Sequence, residues 1–215
     1  KIEAKRHKEE RMKGKGLTLE MIAETASRLV EEKGYNKFSV RELALRLNVK
    51  AASLYNHIDS VEDINREVGR LAMNKLNDTL ERATEGKRRD EALEALAYAY
   101  AQFVKEDYEL YRAIIGLPTL DPAKGEELGE IGRQGLRVVR NTVHQYAVDE
   151  ADAVHFSRCL RSALHGFAVL ESAGYNTGRG VRTDESFRFL IRGYIAWIHS
   201  LEENAQRGVG EEKET

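Results

Sequence analysis

Residues 51–58 read AASLYNHI, so two alanines, a serine, an asparagine and a histidine share one short stretch with Leu54, Tyr55 and Ile58. Serine, asparagine and histidine side chains donate and accept hydrogen bonds, and the small residues beside them let a backbone approach another surface closely. That combination suits reading base edges in a DNA major groove, which offers a helix roughly 12 Å of width. Wound at about 100° per residue, Ala51, Leu54, Tyr55 and Ile58 fall on one side of a helix, and Ala52, Ser53, Asn56 and His57 on the other. The first set can pack on neighbouring helices while the second faces out, and the phenol of Tyr55 is long enough to pass the core edge toward a phosphate. Spacing alone also fits an ordinary helical hairpin with a polar outer face.

Such a stretch needs helices to aim it. The preceding SVRELALRL begins with Ser39 as an N-cap and Glu42 three residues on, a capping-box pattern, and Val40, Leu43, Ala44 and Leu47 supply a buried stripe. Residues 48–50 make the joint, and a helix from there to about His57 completes a helix-turn-helix outline. Upstream, Thr18 caps a helix over residues 19–33 in which Ile22, Ala23, Ala26, Leu29 and Val30 recur at helical spacing, and Gly34 stops it as a left-handed cap residue. Downstream, Ser60 and Asp63 open a further helix running to about Ala83. Residues 1–16 are charged without apolar periodicity: a solvated tail, or a basic arm laying Lys13 and Lys15 along phosphates.

The stretch LTLEMIAETASRLVEEKGYNKFSVRELALRLNVKAASLYNHIDSVEDI, residues 17–64, resembles the DNA-binding head of the TetR family of transcriptional repressors. The matching features are the LT opening, the EKGY that ends the first helix, SVRELA, SLYNHI and the EDI of the fourth helix. The resemblance implies a homodimer whose two heads insert this third helix into successive major grooves of a palindromic operator. It also implies that Ser39 and Arg41 contact a phosphate and a base edge, and that Ala51, Ala52, Ser53 and Asn56 lie along base edges. Tyr55 and His57 would clamp phosphates, with Lys50 a further backbone contact. The sequence departs from the family where many members have Gly at Ala52, Phe at Ile58 and Lys at Val61. In the body, RCLRSALHGFAVLESAGY, residues 158–175, resembles the HG segment of one TetR-type ligand-binding class.

Composition bounds the rest. The chain has 215 residues, 41% of them hydrophobic, with two prolines and little β-branched alternation, so an all-α fold is expected. The expected domains are an arm over 1–16, a helix-turn-helix head over 17–60, a helical ligand-binding and dimerisation domain over 61–204 and a disordered tail over 205–215. Residues 1–60 hold 13 of the 34 Lys and Arg but only 9 of the 36 Asp and Glu. A basic head on an acidic body is the asymmetry expected when one end meets a polyanion. One cysteine, Cys159, excludes an internal disulfide framework and suits a cytoplasmic protein. No apolar run approaches the roughly 20 residues of a membrane span.

Helices are expected over 90–107, 108–117, about 126–146, about 149–172 and 184–204. The last two present broad apolar faces. Phe156, Leu160, Leu164 and Phe167 on one, with Phe187, Ile191, Tyr194 and Ile198 on the other, are the candidate dimer interface, although such faces suit an internal core equally. Phe103, Tyr111 and His165 are the candidate contacts for a small-molecule effector, as aromatic and polar groups on apolar helices. His165 also precedes Gly166, which admits close approach of a second helix or a ligand. His155 and Cys159 stand four apart, but two ligands are too few for a metal site. No nucleophile elbow, phosphate loop or paired carboxylates mark an enzyme, and no cofactor is implied. The expected function is a DNA-binding repressor that releases its operator when a small molecule binds. The alternative is a helical protein-interaction module that binds no DNA.

Overall fold

The computed structural model describes residues 16–117, 137–176, 178 and 180–211, with backbone alone from 208 onward. The described residues are helical and contain no strand. In chain order the helices are α1 (Leu19–Lys33), α2 (Val40–Leu47), α3 (Ala51–Leu54), α4 (Val61–Thr84), α5 (Arg89–Glu106), α6 (Tyr108–Ile115), α7 (137–143), α8 (Glu150–Ser172) and α9 (Thr183–Glu211). The arm expected over 1–16 lies outside the described residues except for Gly16. Most of the helix expected over 126–146, with Leu128, Ile131 and Leu136, lies outside them too.

The starts of these helices follow their caps. Thr18 accepts from the amide of Met21, Asp149 from that of Asp152, and Ser60 closes a full capping box in which Asp63 accepts from the Ser60 amide at 2.9 Å. Burial pushes the Asp63 carboxyl up, but the amides of Asp59 and Ser60 and the Arg66 guanidinium outweigh it and hold it below the ordinary range. Two ends differ from expectation. Gly34 takes φ 104° and ψ 155°, a conformation with positive φ but not the left-handed helical one. The last helix runs past the expected end at Asn204 to Glu211, so the tail expected from 205 is helical that far, with Arg207 paired to Glu203 one turn back.

Two cores result. In the head, Ile22, Leu29, Leu43, Leu47, Leu54, Ile58, Ile64 and Val68 close over one another. In the body, α5, α7, α8 and α9 bury Leu93, Leu96, Phe103, Val143, Phe156, Leu160, Leu164 and Ile191. The head is not closed by its own helices: Leu110 and Ala113, carried by α6, belong to its core. Next to them on α6, Tyr111 belongs to the body core.

At the far end of the body, Arg89 is a non-glycine residue at φ 50°, a conformation that costs free energy. Partners hold it there. Its amide donates to Gln145 Oε1 at 2.6 Å, and its guanidinium lies 4.5 Å above the Tyr146 ring and 2.6 Å from Glu202 Oε2. Asp90 accepts from Tyr146 Oη at 2.7 Å and faces His199 Nε2 at 2.9 Å, so α5, the segment after α7, and α9 are tied together. The Arg89 fork and the Ala147 amide hold the Glu202 carboxyl at about 2.

Candidate nucleic-acid interface and body polar cluster

The head presents its polar row by anchoring two residues and leaving the rest outside. Leu54 and Ile58 are buried, one turn apart, while Ala52, Tyr55, Asn56 and His57 are exposed and Ala51 and Ser53 are half-buried. The helix is shorter than expected. It spans Ala51–Leu54, and residues 55–57 form a turn in which the amides of His57 and Ile58 both donate to the Leu54 carbonyl. A three-residue reach and a four-residue reach to one carbonyl mark a helix tightening as it ends. That tightening corrects the face assigned to Tyr55: its side chain is 53% exposed rather than packed inward.

The joint before it is set by Asn48, which adopts the left-handed conformation at φ 56° and ψ 42°, and by Lys50, extended at φ −73° and ψ 142°. Asparagine is the non-glycine residue that tolerates that turn best. At the start of α2, Ser39 accepts from the Glu42 amide at 3.2 Å, but the capping box is only half formed. The Glu42 carboxylate turns away to Lys33 at 2.5 Å. Several cations in and beside the head are paired with carboxylates: Arg46 forks onto Glu32, Arg66 pairs with Asp63, and Arg70 with Glu67. The hydrogen bond from Arg46 holds the Glu32 carboxyl below its ordinary range. Arg41 and Lys50 are exposed and have no carboxylate partner among the described residues. Ser39, Arg41 and Lys50 are thus exposed in the segments leading into the Ala52–His57 row, and the two cations keep their positive charge free of carboxylates among the described residues, which suits phosphate.

In the body, two of the three expected effector residues meet. Tyr111 Oη lies 2.5 Å from His165 Nδ1 and 2.5 Å from Tyr100 Oη, forming a chain of polar groups from α5 through α6 to α8. Burial pushes both phenols to higher pKa. Phe103 is buried in the same core. Tyr100 was not among the expected residues, yet it sits on the α5 stripe with Leu93, Leu96, Ala97, Phe103 and Val104. A phenol on a buried stripe needs a hydrogen-bond partner, and that was the legible signal. Gly166 makes no close approach, since nothing lies within 4 Å of where a Cβ would stand. Among the described residues no group of three or more His, Cys, Asp or Glu could hold a metal, and Cys159 is exposed. No helix among them is long and apolar enough to cross a membrane.

Residues 22–68 match the family model for bacterial regulatory proteins of the tetR family, and residues 93–194 match the tetracyclin repressor-like C-terminal domain. The helix-turn-helix transcriptional regulator YobS of Bacillus subtilis, itself uncharacterised, is 32% identical over 85% of this chain and 93% of its own length. The chain belongs to the TetR family. The TetR-family regulator PfmR of Thermus thermophilus, 26% identical, superposes with a TM-score of 0.59 over 81% of this chain and 97% of its own. The ActR protein of Streptomyces coelicolor, solved in complex with (S)-DNPA, shares the fold at 18% identity and a TM-score of 0.62, over 86% of this chain and 98% of its own. This TetR-family chain is a transcriptional regulator of the DNA-binding kind, not an enzyme.

Most of the expected dimer residues of this TetR-family body are packed within their own chain. Phe156, Leu160, Leu164, Phe187, Ile191 and Ile198 are all at most 5% exposed and lie in the core of their own chain. Phe167 and Tyr194 are only partly buried, and they line an open groove of about 400 Å³ with Phe189, Leu190, Gly193 and Trp197. Phe189 is 74% exposed there, and Trp197, Tyr194 and Phe156 stack beside one another with ring centroids 5.2–5.7 Å apart.

Proposed function

We propose that this TetR-family regulator is a homodimeric repressor that reads a palindromic operator and releases it when a small molecule enters the body. The observation that carries the reading is the head surface, on which a core-anchored turn of helix holds Ala52, Tyr55, Asn56 and His57 outward, with Arg41 and Lys50 exposed and without a carboxylate partner among the described residues. In this reading Arg41, Ser53 and Asn56 meet base edges along with the small Ala51 and Ala52, while Ser39, Lys50, Tyr55 and His57 hold phosphates. The Phe189 groove takes the second copy, because a ring this exposed beside Trp197 leaves apolar area that a matching face would cover. Two heads then sit about 34 Å apart, or a small multiple of it, to reach successive grooves. The Tyr100–Tyr111–His165 chain is the polar element of the effector region, since polar groups embedded in an apolar core orient a ligand. That ActR holds a small molecule in the same fold supports this part of the reading. Such a repressor works in the cytoplasm, where its operator is.

The test starts by selecting duplexes from a random-sequence library with the native chain, then measuring mobility shifts. Arg41→Ala should cost about 1–3 kcal/mol on the selected duplex and relax preference at one base position. Lys50→Ala should weaken all duplexes evenly and make the salt dependence shallower by about one ion. A native chain that enriches no sequence would overturn the reading.

A further inference from the structure

α6 is shared between the two cores, and it grips the head in two separate places. One grip runs through α4. A Cβ on Gly69 would stand 2.5 Å from Leu117 Cδ2 and 2.9 Å from the Ala113 carbonyl, so the backbone of α4 comes as near to the end of α6 as glycine allows. The other grip bypasses α4 and takes hold of the turn between α1 and α2. There the amide of Tyr35 donates to Glu109 Oε2 at 2.7 Å, and Arg112 Nη1 steadies that same oxygen from 3.1 Å. The Tyr35 phenol comes up against the end of α6, where a Cβ on Gly116 would be 2.6 Å from its Oη and 3.1 Å from Cζ.

Gly34 at φ 104° and Asn36 at φ 61° set the course of the turn, and Ser39, the cap of α2, follows four residues after Tyr35. The Tyr35 amide donates to a carboxylate 74 residues away in the chain, and a part-buried amide without an acceptor is costly. Freed from Glu109, the turn would need another partner, and α2 would rotate with it. On its opposite side α6 carries Tyr111 into contact with His165.

We infer that Glu109 is a positioning residue for DNA reading: through the Tyr35 amide it fixes the angle of α2 and α3 against the body, and so the spacing of the two heads in a dimer. The latch rests on the two-headed reading proposed above. Any displacement of α6 that moves Tyr111 also moves Glu109, so the latch is a direct line from body to reading surface beside the one through α4.

Spacing selectivity tests it, because a merely structural carboxylate would leave that ratio alone. The probes are the duplex selected by the native chain, the same duplex with one base pair inserted between half-sites, and a scrambled duplex. Glu109→Ala should bind the selected duplex about tenfold more weakly, a loss of roughly 1.4 kcal/mol, and bind the scrambled duplex as the native chain does. It should also lose most of its preference against the inserted pair. Glu109→Gln keeps an oxygen for the Tyr35 amide and should restore both. Gly116→Ala should mimic Glu109→Ala by pushing the phenol away, and adding Tyr35→Phe, which removes the nearest atom, should recover part of the preference. Should Glu109→Ala fold poorly, the Gly116→Ala series decides alone. Unchanged spacing preference in folded Glu109→Ala overturns the latch, as does an equal loss on all three duplexes. A native chain indifferent to the inserted pair overturns the two-headed reading as well, which separates the two failures.

Discussion

In the head, the residues proposed to meet DNA fall between Ser39 and His57, and the same segment supplies Leu43, Leu47, Leu54 and Ile58 to the head core. In the body, the polar chain of Tyr100, Tyr111 and His165 is assembled from three helices; the two phenols belong to the core with Phe103, Leu160 and Leu164, and His165 is half-buried. The head shows its chemistry outward on a local frame; the body holds it inward on a frame made by distant residues. A reading surface must meet a rigid duplex in one geometry, so local anchoring suits it. In the proposed reading the body answers to a molecule that enters its core, so its polar groups are held by tertiary packing instead of a local frame. Between the two stands α6, which gives Leu110 and Ala113 to one core and Tyr111 to the other.

That sharing can be broken most forcefully by core truncation. Phe156→Ala in the body should cost about 3–5 kcal/mol, and Leu54→Ala in the head about 2–5 kcal/mol, since both side chains are fully buried. Because α6 belongs to both cores, each variant should shift one cooperative transition in urea, followed by circular dichroism. Two separated transitions would show that head and body unfold independently and that the shared helix does not couple them.

The acid side distinguishes the regions next. Glu202 is held at about 2, against an ordinary 4.5, because it is favoured in its charged form by Arg89 and the Ala147 amide. Its stabilisation is complete above the ordinary value and is lost as pH falls from there toward about 2. Asp90 is also lowered: burial opposes this, but the bonds from His199 and Tyr146 outweigh it. Unfolding free energy measured between pH 6 and pH 2 should therefore drop along that window. Glu202→Gln should flatten the drop and Asp63→Asn in the head should flatten it less. Equal effects would remove the distinction between a strongly held body network and a modest head cap.

The smallest effect separates stability from reading within the head itself. Ser60→Ala breaks a reciprocated box and should cost about 1–2 kcal/mol, while Ser39→Ala, whose partner Glu42 has turned to Lys33, should cost nearer 0.5 kcal/mol. For operator affinity the order should reverse, because Ser39 lies on the surface offered to phosphate. Thermal melts and mobility shifts on the two variants give both orders.

Much of the head was legible because its determinants are local. Thr18, Ser39, Ser60 and Asp149 marked helix starts correctly, since a cap acts within three residues of itself. The end of α3 was read three residues too far, because Ile58 has to reach the core and the turn at 55–57 brings it there. Tyr55 was consequently turned outward. In the body, Tyr111 and His165 were legible as residue types but their meeting was not, and Tyr100 escaped notice. Which apolar residues of α8 and α9 turn inward was not legible either: Phe156, Leu160, Leu164, Phe187, Ile191 and Ile198 lie in the core of their own chain, while Phe189 on the same α9 is 74% exposed.

By itself, then, the sequence determined the helices, their caps, the helix-turn-helix and the residue types on its reading surface, because helical spacing and capping depend on neighbours a few positions apart. Only the tertiary structure decided which apolar face was spent inside the protomer, which was left open around Phe189, and that the Tyr35 amide would find its acceptor on Glu109. Apolarity has no direction, and a hydrogen bond spanning 74 residues exists only once α6 has packed between the two cores.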